Sequence, residues 1–173
     1  MSYIKFAFLF QDGVFGAIVV RQSNQKNPQS LLYDYDLKEH VIILNDWTKT
    51  AFSSQMALYY HAAGYGSVDS ILINGKGDYS QSATRKQVPI AEFTVKQGSR
   101  YRFRLINNGV QHCPMAFSID DHNLTLISTD GNPIVPVDVE SIVSSSGERY
   151  DFVLNADAAL GFYTIKVRGD GDC

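Results

Sequence analysis

The sequence predicts an all-β protein, a sandwich or barrel with antiparallel pairing, on three observations. Tyr101, Phe103 and Leu105 alternate with Arg100, Arg102 and Arg104, the period of two that gives a strand one buried and one wet face. The same period returns in Tyr150, Phe152 and Leu154 and again in Tyr163, Ile165 and Val167. Turn signals fall between such runs, DGNP at 130–133 and SSSGE at 144–148, with no helical stretch separating the strands.

Taken in order, the earlier elements fit this class. The compact apolar run FGAIVV (15–20) reads as a strand, and SNQKNPQS (23–30), polar and carrying Pro28, as a linker. HVIIL (40–44) is the next buried strand. AFSSQMALYY (51–60) is the one stretch with helical character, GYGS (64–67) breaks the chain, and SILING (70–75) is a strand ending in a turn. VDVESIV (137–143) predicts a strand with Val137, Val139 and Val143 on one face. There is no internal repeat and no low-complexity tract.

Composition narrows the function classes. The 173 residues are 45% hydrophobic, enough for a core in one domain or one domain plus a piece of another. A net charge of −3 gives no nucleic-acid footprint, and the scattered Lys and Arg make no basic run for a membrane surface. No apolar run approaches the ~20 residues of a membrane-spanning helix. The N-terminal MSYIKFAFLF has Lys5 ahead of apolar Phe6 to Phe10. That run is short for a secretion signal, and Gln11 and Asp12 end it without a cleavage pattern, so a buried strand is the expectation.

Few residues could carry chemistry. His112, Cys113 and Met115 are the ligand types of a blue-copper site. Adjacent residues of an extended chain point to opposite faces, and Pro114 keeps Cys113 extended, so His112 and Cys113 do not share a metal. Met115 is expected as core filler. Among His40, His61, His112 and His122 no two are separated by one residue, so no His-x-His pair presents two imidazoles on one strand face. His40 and His122 border strands or turns and are expected to be structural or surface residues. The sequence assigns no catalytic, cofactor-binding or metal residue. Cys113 and Cys173 could be free, paired or ligands. Pairing would close a loop of about 60 residues, stabilise by roughly 4 kcal/mol on the chain-entropy model, and imply an oxidising compartment. Asn123-Leu124-Thr125 is an N-glycosylation acceptor pattern. Arg168-Gly169-Asp170 spells an integrin-type tripeptide and is read as turn residues. No G-x-S-x-G elbow occurs, INGKG lacks the length and Ser/Thr of a phosphate loop, and Asp120 and Asp121 are expected to be solvated beside a turn.

Six stretches in register then carry a resemblance: DGVFGAIVVRQ (12–22), YDLKEHVIILNDW (35–47), DSILINGKG (69–77), RYRFRLINNG (101–109), FSIDDHNLTLISTDG (117–131) and GERYDFVLNAD (147–157). Together they resemble laccase-like multicopper oxidases, most closely the arthropod type. The resemblance implies a cupredoxin-like Greek-key β-sandwich or barrel. It divides the chain into residues 1–22, ending the last strand of an incomplete first cupredoxin domain with 1–11 off the pattern, a linker at 23–38, and a second, plastocyanin-like domain at 39–173. In that family phenols are oxidised while dioxygen is reduced to water, using one blue copper and a three-copper cluster held by His-x-His pairs of the first and third domains. Copper is therefore implied for the parent and none for this chain, which would be the copper-free structural domain, inactive alone. Its implied partners are the missing first and third domains and a small phenolic substrate. Secretion is implied as well, with no signal peptide in this chain, and so is a Cys113–Cys173 disulfide, against two free buried thiols.

One departure stands out. The family carries a histidine-bearing segment just before DGVFG, whereas SYIKFAFLFQ has no histidine, which points to an incomplete or mispredicted coding sequence, with a genuine truncated isoform as the alternative. The alternatives are a stand-alone, non-catalytic cupredoxin module for binding or adhesion, and a small mononuclear copper carrier.

Overall fold

A computed structural model describes residues 12–23, 27–51, 54, 68–77, 88–110 and 114–170. The expected strands at 1–11 and the helical stretch at 51–60 fall outside these residues, except at Ala51 and Ser54. Among the described residues the chain forms β1 (Val41–Trp47), β2 (Ser70–Ile73), β3 (Arg100–Asn107), β4 (Met115–Ile119), β5 (Leu124–Thr129), β6 (Asn132–Val139), β7 (Ile142–Ser144), β8 (Arg149–Asn155) and β9 (Ile165–Gly169). A six-stranded sheet has the order β2-β1-β3-β8-β5-β6, and a three-stranded sheet the order β7-β4-β9. The chain thus crosses repeatedly between sheets, as in the expected Greek-key sandwich.

Alternation builds the core. Tyr101, Phe103 and Leu105 face inward from β3, Phe152 and Leu154 from β8, and Met115 and Phe117 from β4. The rings of Phe103 and Phe152 stack at 5.4 Å, and Phe117 tilts against Phe152 at 5.6 Å. Each such side chain stabilises the fold by about 1.5–3 kcal/mol through apolar area removed from water.

Two hairpins show how local sequence sets register. Asp130 and Gly131, at φ 49° and 82°, make the two-residue turn between β5 and β6, where a left-handed pair matches the strand twist. Asn74 and Gly75 repeat it after β2 at φ 52° and 73°. Asn74 also grips β1: its Oδ1 accepts from the Ile43 N–H at 2.7 Å and its Nδ2 donates to the Val41 carbonyl at 2.9 Å. INGKG is therefore a hairpin clamp.

Three expectations are corrected. FGAIVV forms no strand. Residues 14–23 run without a ladder partner among the described residues, and Ile18 is 91% exposed. An extended run becomes a strand only where a neighbour supplies backbone hydrogen bonds. VDVESIV is two strands in two sheets, because the chain changes layer at Glu140 and Ser141. Ile142 is consequently buried and Val143 exposed. Finally, β1 and β3 pair in parallel, Val41 opposite Arg104 through Leu44 opposite Asn107, while the other pairs are antiparallel. The long connection between them permits this, since parallel neighbours need a crossover.

Candidate functional site

The most strongly organised polar surface lies on the outer face of β3. Ahead of β1, Tyr33–Asp36 runs beside β3: the Asp34 and Tyr35 amides donate to the Arg100 carbonyl, and the Arg102 amide donates to that of Tyr35. Tyr35 stacks on Tyr101 at 4.9 Å. This places Asp34 and Asp36, two residues apart, beside arginines that are also two apart. Arg100 pairs with Asp34 at 2.8 Å. Arg104 makes a fork to Asp36, at 2.5 Å to Oδ1 and 2.7 Å to Oδ2. Arg21 approaches the same carboxylate at 3.4 Å and Arg102 at 3.9 Å. Arg102 also binds Asp151 and donates to the Tyr33 hydroxyl at 3.2 Å.

Burial alone pushes the Asp36 carboxyl up. The Arg104 hydrogen bonds and the charges of Arg104, Arg102 and Arg21 outweigh it and hold the pKa below the usual carboxylate range. For Arg102 burial works against the charge, and the Asp151 partner more than restores it. Strand alternation predicts a wet face for these arginines, whereas Arg104 is 9% exposed. The missed signal was the matching period of Asp34 and Asp36.

A groove of about 570 Å³ lies over this row, bounded by Ile18–Gln22, Gln29 and Tyr33, with Arg102 and Arg104 within it. Gln29 is buried and donates to the Ile127 and Ile134 carbonyls, so the segment after Pro28 is fastened to the sheet. Every guanidinium named here faces a carboxylate. The row holds chain segments together, four guanidiniums sharing the three carboxylates of Asp34, Asp36 and Asp151.

At one end of the sandwich a second groove, also about 570 Å³, is lined by Asp120, Asp121, Asp138, Glu140 and Asp157. Asp120 and Asp121 occupy the turn expected for them, and Lys166 pairs with Asp120 at 2.6 Å. Asn123 is exposed there. The Arg168-Gly169-Asp170 tripeptide is no turn. Arg168 pairs with Ala116 and Gly169 with Met115 in the β4–β9 ladder, and the Asp170 amide donates to the Pro114 carbonyl at 2.8 Å.

The family model described as Multicopper oxidase matches residues 38–172, which takes in every one of the nine strands. The chain belongs to the multicopper oxidase family. Among similar multicopper oxidases, a laccase of Pleurotus ostreatus (Laccase-2) is 38% identical over 156 residues, 90% of this chain and 27% of that one. Laccase-5 of Trametes villosa is 40% identical over 159 residues, 90% of this chain and 28% of that one. The crystal structure of the laccase from Botrytis aclada superposes with a TM-score of 0.68 at 32% identity, over 78% of this chain and 25% of that one. The fold is thus cupredoxin-like, as multicopper oxidases require. The chain spans little more than a quarter of the curated relatives it matches. These relatives are fungal laccases and give no support to an arthropod type.

Copper in a multicopper oxidase needs histidine and cysteine donors that converge. Here His40 is buried, stacked on Phe103 at 4.4 Å, with its Nε2 3.2 Å from the Thr94 carbonyl. Donation from Nε2 leaves Nδ1 as a buried lone pair without a partner among the described residues. His122 lies on the β4–β5 turn, with Nδ1 2.8 Å from the Asp120 carbonyl and its ring edge-on to Tyr163 at 4.6 Å. Both are held structurally, and among the described residues no group of three His, Cys, Asp or Glu is placed to hold a metal ion. The described residues therefore do not fit a copper centre. Met115 is fully buried in the core. His61, His112, Cys113 and Cys173 lie outside the described residues.

Proposed function

We propose that this chain is the second cupredoxin domain of a secreted, laccase-like oxidase, preceded at residues 1–22 by the end of the first domain and at 23–38 by the linker. The whole enzyme would oxidise phenols and reduce dioxygen, with copper held by the absent first and third domains. In this reading the present domain is a copper-free spacer, inactive alone, that keeps those copper sites in register, and Cys113 pairs with Cys173. The observation that carries it is the match itself: laccases align with 90% of this chain, which spans only 27–28% of them. The histidine spacing supports the copper-free part, because no His-x-His pair occurs anywhere in the 173 residues.

The test compares this chain with a version extended by the flanking coding sequence. Alone, it should hold no stoichiometric copper and oxidise no diphenol. The extended protein should turn blue and do both. Near one copper per chain with a strong blue absorption in the isolated domain would establish a mononuclear copper carrier instead. An extension without His-x-His segments would favour the binding module. Peptide mapping without reductant should recover Cys113 joined to Cys173, and two alkylatable thiols would remove that part of the reading.

A further inference from the structure

We propose that the arginine-lined groove over β3, β8 and β5 binds a small organic carboxylate with an apolar body, independently of the spacer role above. Strand register sets its floor. Arg104 of β3 stands opposite Asp151 of β8, and Asp151 opposite Ser128 of β5. Side chains of opposed residues share a face, so the three make one row across the outside of the sheet. Ser128 joins that row because of a bulge. The register of β5 shifts between Leu126 and Ser128, so Leu124 and Ile127, three residues apart, are both fully buried and Ser128 turns outward. Ser128 is 4% exposed and lines the groove, and its hydroxyl has no hydrogen-bond partner among the described residues. A hydroxyl so far withdrawn from water is costly unless an occupant of the groove meets it.

Charge points to an anion. The guanidiniums of Arg21, Arg102, Arg104 and Arg149 border the groove. The carboxylates paired with these four are three, Asp36, Asp151 and Asp130, which leaves one positive charge over. Arg21 reaches Asp36 through Nη2 alone, with its side chain 49% exposed. The volume of about 570 Å³ suits a small organic molecule and exceeds the needs of a bare inorganic ion. Ile18, Val19 and Pro133 supply apolar surface beside the arginines. A carboxylate there accepts from the Ser128 hydroxyl and from guanidinium donors, a charge-assisted set, while its apolar body covers these side chains. One negative charge balances the site.

The chain is titrated with sodium benzoate at fixed ionic strength, followed by calorimetry and by amide chemical shifts. Benzoate should bind one-to-one, with the shift changes centred on Ser128, Arg149 and residues 18–21. Ser128→Ala removes only a hydroxyl without a protein partner and should weaken binding about fivefold. Arg149→Gln takes away the surplus charge at a side chain 51% exposed, where the fold tolerates it, and should weaken binding further. Arg100→Gln, on the same face but outside the groove, is the control and should bind as the unaltered chain does. An absence of saturable binding, or shift changes centred elsewhere, overturns the proposal without any variant having to fold. Equal affinities of the unaltered chain, Ser128→Ala and Arg149→Gln overturn it as well. Inorganic phosphate bound as tightly as benzoate would overturn the assignment to an organic carboxylate.

Discussion

Asp36→Asn should destabilise the domain more than any other single charge removal on the β3 face. The variant keeps the size of the side chain and removes the charge that three arginines share. Arg104 and Asp36 have side chains 11% and 17% exposed, so the pair is mostly withdrawn from water. Breaking a fully buried pair costs about 3–5 kcal/mol and an exposed one about 0–1, which brackets this case at about 2–3 kcal/mol. With a urea dependence of about 2 kcal/mol per molar, the midpoint should fall by about 1–1.5 M with little change in slope. Arg104→Met removes the other partner, and the double variant should be less destabilised than the sum of the singles, a coupling of about 1.5 kcal/mol or more. Asp34→Asn, whose Arg100 pair is 44% and 41% exposed, is the control and should leave the midpoint within error. Strict additivity of the Asp36 and Arg104 substitutions, or a midpoint shift no larger than that of the control, would refute a stabilising Asp36–Arg104 link.

Three further outcomes follow from the same structure. A carboxyl whose folded pKa lies below its ordinary 3.8 stabilises the fold above that value and stops doing so as the pH falls through the folded one. The urea midpoint should therefore drop on acidification from about pH 5 to about pH 3, with a shallower drop in Asp36→Asn. Phe152→Ala removes the ring between Phe103 and Phe117 and should cost about 3–5 kcal/mol by chemical denaturation. Gly131→Ala forces a side chain onto φ 82° and should cost about 1 kcal/mol, while Asn132, the next residue, tolerates alanine far better.

What the sequence revealed depended on whether the property was local. The alternation of Tyr101, Phe103 and Leu105 belongs to one strand and predicted its buried face correctly. The burial of Arg104 depends on Asp36, 68 residues away, and no window around β3 contains that partner. Val137, Val139 and Val143 kept a plausible period across a change of sheet, because alternation is blind to which layer a strand joins. FGAIVV has strand composition, but strand formation requires a second backbone. The six stretches that marked the family reached the multicopper oxidases, while the relatives found are fungal laccases and not the arthropod type expected.

The exposed apolar residues sort the surface further. Val14, Ile18 and Val20 are 61%, 91% and 87% exposed, and residues 14–22 make no backbone hydrogen bond with the other described residues. An extended β-prone segment in that state can be completed by strand pairing. The edge strand β6 exposes Val135 and Val137 but carries Pro133 and Pro136, which interrupt its row of donors. Contact there must proceed through side chains. In the proposed three-domain protein residues 14–20 would be completed by strand pairing with the rest of the first domain. Packing on β6 would then rest on side chains. Proline at position 16 or 18 should weaken assembly with the first domain, whereas Val135→Ser should loosen side-chain packing on β6 without affecting strand pairing.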